Sequence, residues 1–212
     1  MEKKELELYI HIPFCVRKCN YCDFLSFPAD EDTQRQYVKA LCKEIFYYGA
    51  HCRDYVVSTV YIGGGTPSWL WESDMAEIMD AVHKNFALLP DAEVSVECNP
   101  GTVTAQKFAV YRQSGINRIS LGLQSAQNVE LKMLGRIHTW EQFLKTYELA
   151  RSGGFSNINV DLMSSLPGQH MESYADSLQK VCRLKPEHIS AYSLIIEKGT
   201  PFNDCLLYTS PS

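Results

Sequence analysis

Short runs rich in β-branched and aromatic residues alternate with longer helical patterns along this chain of 212 residues. The predicted strands cover residues 6–12, 58–63, 92–98, 118–124, 157–163 and 188–195. The predicted helices cover residues 38–49, 72–86, 104–114, 128–134, 140–152 and 172–183. This alternation predicts parallel strands joined by right-handed crossovers. An open doubly wound sheet satisfies that order, and so does a complete or partial barrel of (β/α) units.

Polar or glycine-rich segments at the carboxyl ends of the predicted strands distinguish between these two architectures. A barrel brings all its strand ends to one mouth, whereas an open sheet uses mainly the crevice where its strand order reverses. Because every strand end carries such a segment, the sequence favours an α/β fold with a partial (β/α)6 barrel. No linker or shift in composition divides the chain into two domains. The segments contain His11, residues 63–67, Glu97, Gln124, Asp161 and Tyr192.

Three cysteines follow the first predicted strand at the spacing C-x₃-C-x₂-C, as Cys15, Cys19 and Cys22. Three thiolates on one loop suit a cubane iron–sulfur cluster, which thiolates normally hold at all four iron corners. With three ligands supplied, one iron keeps an open position for an exogenous ligand, much as catalytic zinc sites keep one for water. The alternative is a zinc site with His11 or a distant cysteine as the fourth ligand, in a structural zinc protein on a similar barrel.

Charge and composition limit the partners and the compartment. The net charge of −5 and the lack of a Lys/Arg run argue against nucleic acid as the main partner. The N-terminus lacks the apolar segment of a signal peptide, and no apolar run approaches the ~20 residues of a transmembrane helix. We therefore expect a cytoplasmic protein whose eight cysteines are reduced thiols. Two of them, Cys42 and Cys182, are expected to be core thiols.

The cysteine motif, with Tyr21 before its last cysteine, resembles the signature of the radical S-adenosylmethionine (SAM) superfamily. The flanking motifs closely resemble those of the oxygen-independent coproporphyrinogen III oxidase family, including its haem-chaperone branch. The resemblance covers residues 6–204 in order and at matching spacing. The motifs are YIHIPFCVRKCNYCDF, YIGGGTPSWL, VECNPGTV, RISLGLQS, NVDLMSSLPGQ and ISAYSLIIEKGTPF.

This resemblance implies a [4Fe-4S] cluster on the three cysteines, with the amino and carboxylate groups of SAM on the fourth iron. One-electron reduction of SAM then yields a 5′-deoxyadenosyl radical, with electrons from a reductant such as flavodoxin or ferredoxin. No catalytic residue is assigned. The polar residues among the cofactor-binding positions listed next could instead form salt bridges within the barrel, and Arg136 could complement a helix C-terminus. The cofactor-binding residues that the resemblance implies are Tyr9, Tyr21, Gly64, Gly65, Thr66, Glu97, Gln124, Arg136 and Asp161.

One departure from the family motif bears on activity. The decarboxylating oxidases of the family carry a fourth cysteine two residues after the third, where this chain has Phe24. They also carry an N-terminal extension, whereas this chain begins almost directly at the first strand. Both features resemble the haem-chaperone branch, which binds haem and transfers it to client haemoproteins. The alternative is an oxidase that removes CO₂ from the propionate side chains of coproporphyrinogen III, so whether the chain is an enzyme stays open.

The end of the chain is expected to be foreign. Residues 205–212, CLLYTSPS, resemble the translation of a sequencing-library adaptor. We therefore predict an incomplete radical SAM barrel over residues 1–204, truncated after the sixth strand, and a non-native tail over 205–212. The helical C-terminal region of the family would then be absent, and the sixth strand would have no helix over its outer face.

Overall fold

A computed structural model describes residues 4–209 of the chain, with side chains described up to Cys205. Six parallel strands form one sheet in chain order, and each pairs with the next along the sequence. The first and sixth strands are the two edges of this curled half-barrel, so the predicted partial (β/α)6 barrel is confirmed. The strands are β1 (Lys4–Ile12), β2 (Tyr55–Gly64), β3 (Leu88–Cys98), β4 (Arg118–Gln124), β5 (Ile158–Ser164) and β6 (His188–Ser193).

Helices connect successive strands, and each predicted helix is present. Local hydrogen bonds explain where two of them begin. The Asp30 carboxylate accepts from the Thr33 backbone N–H at 2.8 Å, and Thr139 and Gln142 form a capping box. The helices are α1 (Glu31–His51), α2 (Glu72–Asn85), α3 (Ala105–Gln113), α4 (Asn128–Met133), α5 (Trp140–Ser152), α6 (Met171–Leu184) and α7 (Pro201–Thr209).

Strand alternation gives the sheet two different faces. On the convex face, side chains such as Ile62, Val96 and Leu121 are fully buried against the helices in one core. Burial of such side chains contributes roughly 1.5–3 kcal/mol each. The intervening residues point to the concave face and are mostly polar. The apolar core between the sheet and the helices therefore stabilises the half-barrel, and polar side chains occupy its concave interior. Those on the central strands are Tyr61, Ser95, Glu97, Ser120, Asn159 and Asp161.

In the C-terminal third, the structure differs from the sequence prediction in the burial of one cysteine and in the presence of one further helix. Cys182 on α6 is exposed and is not a core thiol, because its neighbour Val181 occupies the buried face instead. Strand β6 has no fully buried residue. Helix α7 includes residues 205–209 of the predicted tail, and residues 210–212 of that tail lie outside the described part. The division of the chain at residue 204 stays a prediction.

In the part of the chain that the structure describes, no helix has the length and apolar character needed to cross a membrane.

Candidate cluster and cofactor site

A cavity of about 620 Å³ opens at the carboxyl ends of the strands. Its volume lies within the range of ordinary small-molecule sites, ~300–1,000 Å³. The walls include all three cysteines of the motif and every other predicted site residue except Tyr9. Parallel strands bring their carboxyl ends to one edge, which is why residues so far apart in sequence meet here. The predicted residues in the walls are Cys15, Cys19, Tyr21, Cys22, Gly64, Gly65, Thr66, Glu97, Gln124, Arg136 and Asp161.

Tyr9 and His11 lie on the edge strand β1, outside this cavity. Tyr9 is 60 % exposed, and its ring stacks on Tyr61 with 6.2 Å between centroids. The two ring nitrogens of His11 lie 3.1 Å from the Tyr9 hydroxyl and 2.9 Å from the Leu25 carbonyl oxygen. Tyr9 therefore contacts the site only indirectly, because it packs against Tyr61, which lines the cavity. His11 has both nitrogens engaged away from the thiols, so the geometry does not favour it as a zinc ligand.

Backbone hydrogen bonds hold the cysteine loop over the mouth of the half-barrel. The Cys15 N–H donates to the Phe27 carbonyl at 3.1 Å, and the Phe27 N–H donates to Pro13 at 2.9 Å, which closes the loop on itself. At the far side, the Asn20 N–H donates to the carbonyl of Leu134 at 3.0 Å. The loop is thus tied to the segment after α4, more than a hundred residues later in the chain.

The glycine-rich turn after β2 packs directly against this loop. The Gly65 N–H donates to the Ile12 carbonyl at 2.8 Å, and the Thr66 N–H donates to the Phe14 carbonyl at 2.7 Å. A Cβ on Gly65 would lie 2.7 Å from the Phe14 carbonyl oxygen, so only glycine fits. The Thr66 hydroxyl donates to Cys15 Sγ at 3.5 Å. The turn therefore positions both a backbone cradle and one thiol.

Arg136 is a buried cation at the centre of the site. One nitrogen of its guanidinium donates to the Gly122 carbonyl at 2.6 Å and to Asn99 Oδ1. The other donates to Cys19 Sγ at 3.6 Å and to the Tyr21 hydroxyl at 3.4 Å. Its Nε is buried and has no partner among the described residues. Arg136 therefore lines the cavity and contacts a cysteine of the motif, and it does not complement a helix C-terminus.

Two carboxylates, Glu97 and Asp161, face the cavity from β3 and β5. Burial raises the pKa of both groups, while hydrogen bonds to them partly oppose the rise. Glu97 accepts from the Tyr61 hydroxyl at 2.8 Å, and Asp161 accepts from Asn159 Nδ2 at 2.7 Å. Neither carboxylate is in an ion pair among residues 4–209. The carboxylate oxygens can accept further hydrogen bonds, which suits the hydroxyl groups or the ammonium group of a ligand.

Gln124 shows backbone strain at the mouth of the site. Its φ of 74° lies in the left-handed region, which is uncommon for a residue other than glycine. Its side-chain oxygen accepts from the Tyr192 hydroxyl at 2.9 Å. Tyr192, which the sequence places at a strand end, and Asn99 both line the cavity, although neither is among the predicted cofactor-binding residues. Their position just at or after strand ends is the signal that could have identified them.

The residues present fit a thiolate-held cluster with an organic ligand beside it. The donor set is three thiols in one wall, with a buried guanidinium next to Cys19. The unpartnered Nε of Arg136 and the cradle at Gly65 leave room and polarity for a further group. Among the described residues, no three Cys, His, Asp or Glu side chains converge on a single metal position. A cubane cluster binds each thiolate at a different iron, so the fit rests on donor chemistry.

The buried carboxyls predict a pH dependence for the stability of the unliganded protein. The pKa of Asp161 in the folded protein is raised above its unfolded value of about 4. The stabilising contribution of Asp161 to the free energy of unfolding is therefore fully present below that pH. The contribution is lost as pH rises through the folded pKa. We expect Asp161→Asn to increase the free energy of unfolding at neutral pH and to flatten its decline. Urea unfolding from about pH 4 to pH 8 measures this. Asp91→Asn, at an exposed site, is the control, and an unchanged decline in Asp161→Asn would contradict the prediction.

Comparison with known proteins identifies a superfamily and several relatives. The sequence model of the radical SAM superfamily matches residues 9–181. The chain is 42 % identical over 198 residues to the haem chaperone HemW of Escherichia coli strain K12, covering 93 % of this chain and 52 % of that protein. It is 37 % identical over 197 residues to the haem chaperone HemW of Bacillus subtilis strain 168, covering 92 % and 52 %. The chain therefore spans about half the length of the curated relatives it matches.

A solved structure of a radical SAM enzyme has the same fold as this chain. The chain superposes on the coproporphyrinogen III oxidase HemN of Escherichia coli, described as a radical SAM enzyme, with a TM-score of 0.84. The sequence identity is 27 %, and the match covers 98 % of this chain and 52 % of that chain.

Proposed function

This chain belongs to the radical SAM superfamily, and we propose that it holds a [4Fe-4S] cluster on Cys15, Cys19 and Cys22 with SAM beside it. When bound, these groups supply one-electron reductive chemistry, with electrons from a carrier such as flavodoxin or ferredoxin. The polypeptide orients the ligands and excludes water. Arg136, buried against Cys19, would compensate the negative charge of a cluster held by the three cysteines.

The remaining walls would define how SAM sits. The backbone of Gly64 and Gly65 gives close approach without a Cβ, next to the thiol of Cys15. Glu97 and Asp161 would accept hydrogen bonds from ribose hydroxyls or from the ammonium group. Binding of a cation would also compensate the unfavourable burial of these carboxylates, which are unpaired among the described residues. Ligand binding and carboxylate ionisation are therefore expected to support each other.

For the whole protein, we propose haem binding and transfer of haem to client haemoproteins in the cytoplasm. The observation that carries this proposal is Phe24, which stands where the resemblance places the fourth cysteine of the oxidases. Phe24 lines the cavity and is 65 % exposed, so an apolar residue replaces a thiol there. The relatives named haem chaperones support the same choice.

The second candidate is oxygen-independent oxidation of coproporphyrinogen III. The likeness of the fold to that of HemN favours it, and the cavity contains the same predicted cofactor residues that either function would use. The two candidates differ in what happens to the tetrapyrrole. A chaperone binds it and releases it unchanged, whereas an oxidase removes CO₂ from it.

Parallel assays of the reconstituted chain separate the two candidates. We expect haem uptake, seen as a Soret shift, and no CO₂ release from coproporphyrinogen III with SAM and reduced flavodoxin. Phe24→Cys supplies the missing thiol and Phe24→Leu is its apolar control; we expect neither to decarboxylate at more than about a hundredth of a typical enzymatic rate of ~10 s⁻¹. Sustained CO₂ release by the unmodified chain would establish the oxidase instead. Failure to take up haem would contradict the chaperone proposal for this chain.

A further inference from the structure

A buried lysine, Lys107, lies outside the lining of the cavity. Lys107 is on the first turn of α3 and is 8 % exposed. The start of a helix is the positive end of its dipole, and lysine is rarely this buried without a partner. Among the described residues it forms no ion pair. Burial lowers the pKa of its ammonium, and the Glu72 carboxylate partly opposes this.

The ammonium of Lys107 binds two turns at once. It donates to the Ser68 carbonyl at 2.8 Å and to the Thr102 carbonyl at 3.2 Å. Ser68 belongs to the turn after β2, and Thr102 belongs to the turn after β3. The two hydroxyls lie 2.6 Å apart. Lys107 therefore fixes the distance between the two turns, although it does not itself line the cavity.

Further hydrogen bonds link the two turns to Asn99, whose backbone closes a ring with the hydroxyls of Ser68 and Thr102. The Asn99 N–H donates to Ser68 Oγ at 3.0 Å, and the Thr102 hydroxyl donates to the Asn99 carbonyl at 2.8 Å. The Ser68 hydroxyl is thus the donor to Thr102. The side chain of Asn99 accepts from Arg136, whose other nitrogen donates to Cys19 Sγ at 3.6 Å. A continuous series of contacts joins Lys107 to a cysteine of the motif.

We propose that Lys107 is a positioning residue: by fixing the turns after β2 and β3 it holds Asn99, which holds Arg136 against Cys19. This inference rests on the proposed cluster and SAM site and assigns to it a residue outside the cavity. Nearby positive charge and hydrogen bonds to sulfur raise the potential of an iron–sulfur cluster. Partners behind the direct ligands also orient them, and their loss typically weakens binding by about 10–100-fold.

The test uses Lys107→Met, which keeps the buried stem and removes the donor. We expect a lower midpoint potential for the cluster and SAM affinity reduced roughly tenfold. Lys107→Arg restores a donor and is expected to recover part of both. Ile116→Val, in the same core but off the hydrogen-bonded series, controls for lost stability and should leave both values unchanged. If Lys107→Met does not fold, Ser68→Ala breaks the same series at its next member.

A double variant tests the route through Asn99. If Lys107 acts through Asn99, then Lys107→Met added to Asn99→Ala should produce no further loss of SAM affinity. Fully additive losses, or a potential in Lys107→Met equal to that of the unmodified chain, would overturn the inference. Absence of any cluster in the unmodified chain would instead overturn the proposed function, so the two failures are distinguishable.

Discussion

We expect Cys19→Ser to abolish assembly of the iron–sulfur cluster. Bound iron after anaerobic reconstitution should fall below about a tenth of the value in the unmodified chain, because a lost direct ligand costs at least as much as a lost supporting contact. The serine hydroxyl is a poor substitute for a thiol as an iron ligand, and Arg136 already donates a hydrogen bond to Cys19 Sγ. Cys15→Ser and Cys22→Ser should give the same result. Iron and sulfide content, with absorbance near 400 nm, measures it directly.

Two further cysteines make this prediction specific. Cys182→Ser removes an exposed thiol far from the cavity, and it should leave cluster assembly unchanged. Cys98→Ser removes a buried thiol that lines the same cavity. Burial raises the pKa of Cys98 to about 12, which disfavours its thiolate. We therefore expect the cluster to assemble without Cys98. Loss of the cluster in Cys98→Ser but not in Cys19→Ser would show that the ligand set is wrong.

The second large effect is expected at the turn after β2. In Gly65→Ala, the new Cβ would lie 2.7 Å from the carbonyl oxygen and 3.0 Å from the carbonyl carbon of Phe14. Both are backbone atoms that cannot move aside, so the turn must separate from the cysteine loop. We expect the free energy of unfolding of the unliganded protein to fall by about 1–3 kcal/mol. SAM binding to the reconstituted protein should fall below detection, because the cradle and the hydrogen bond from Thr66 to Cys15 shift together.

Gly153→Ala is the matched control for this change. Gly153 follows α5, has a φ of −74°, and would bring its Cβ 3.2 Å from the Leu149 carbonyl oxygen. Because alanine adopts that conformation readily, we expect a change within about 1 kcal/mol. Urea unfolding and calorimetric titration with SAM report on both variants. If Gly65→Ala bound SAM as tightly as Gly153→Ala, the turn would not be part of the SAM site.

The architecture could be predicted because its causes are local. Alternation of strand and helix patterns gave the six strands, and parallel order then required their carboxyl ends to meet. That is why Cys15, Glu97 and Asp161, which lie far apart in sequence, line one cavity. Helix α7 is not among the predicted helices, because most of it, residues 205–209, lies in the segment predicted to be foreign.

Side-chain environment was harder to predict, because it depends on contacts between distant segments. Tyr9 precedes the cysteines on β1, but it lies at the open edge of the sheet and outside the cavity. Lys107 has the sequence context of an exposed helical lysine, and only the two turns packed over it bury its ammonium. Cys182 was placed in the core beside Val181, although neighbouring residues on a helix point about 100° apart. These features follow from tertiary packing, not from periodicity.

The central claim is that Cys15, Cys19 and Cys22 hold a cluster with one iron open to SAM. Electron paramagnetic resonance of the reconstituted, dithionite-reduced chain, recorded with and without SAM, tests it most directly. We predict a [4Fe-4S]⁺ signal whose g-values shift when SAM is added, because SAM binds the iron that no cysteine occupies. A protein that takes up no iron and holds one tightly bound zinc ion instead would contradict the account.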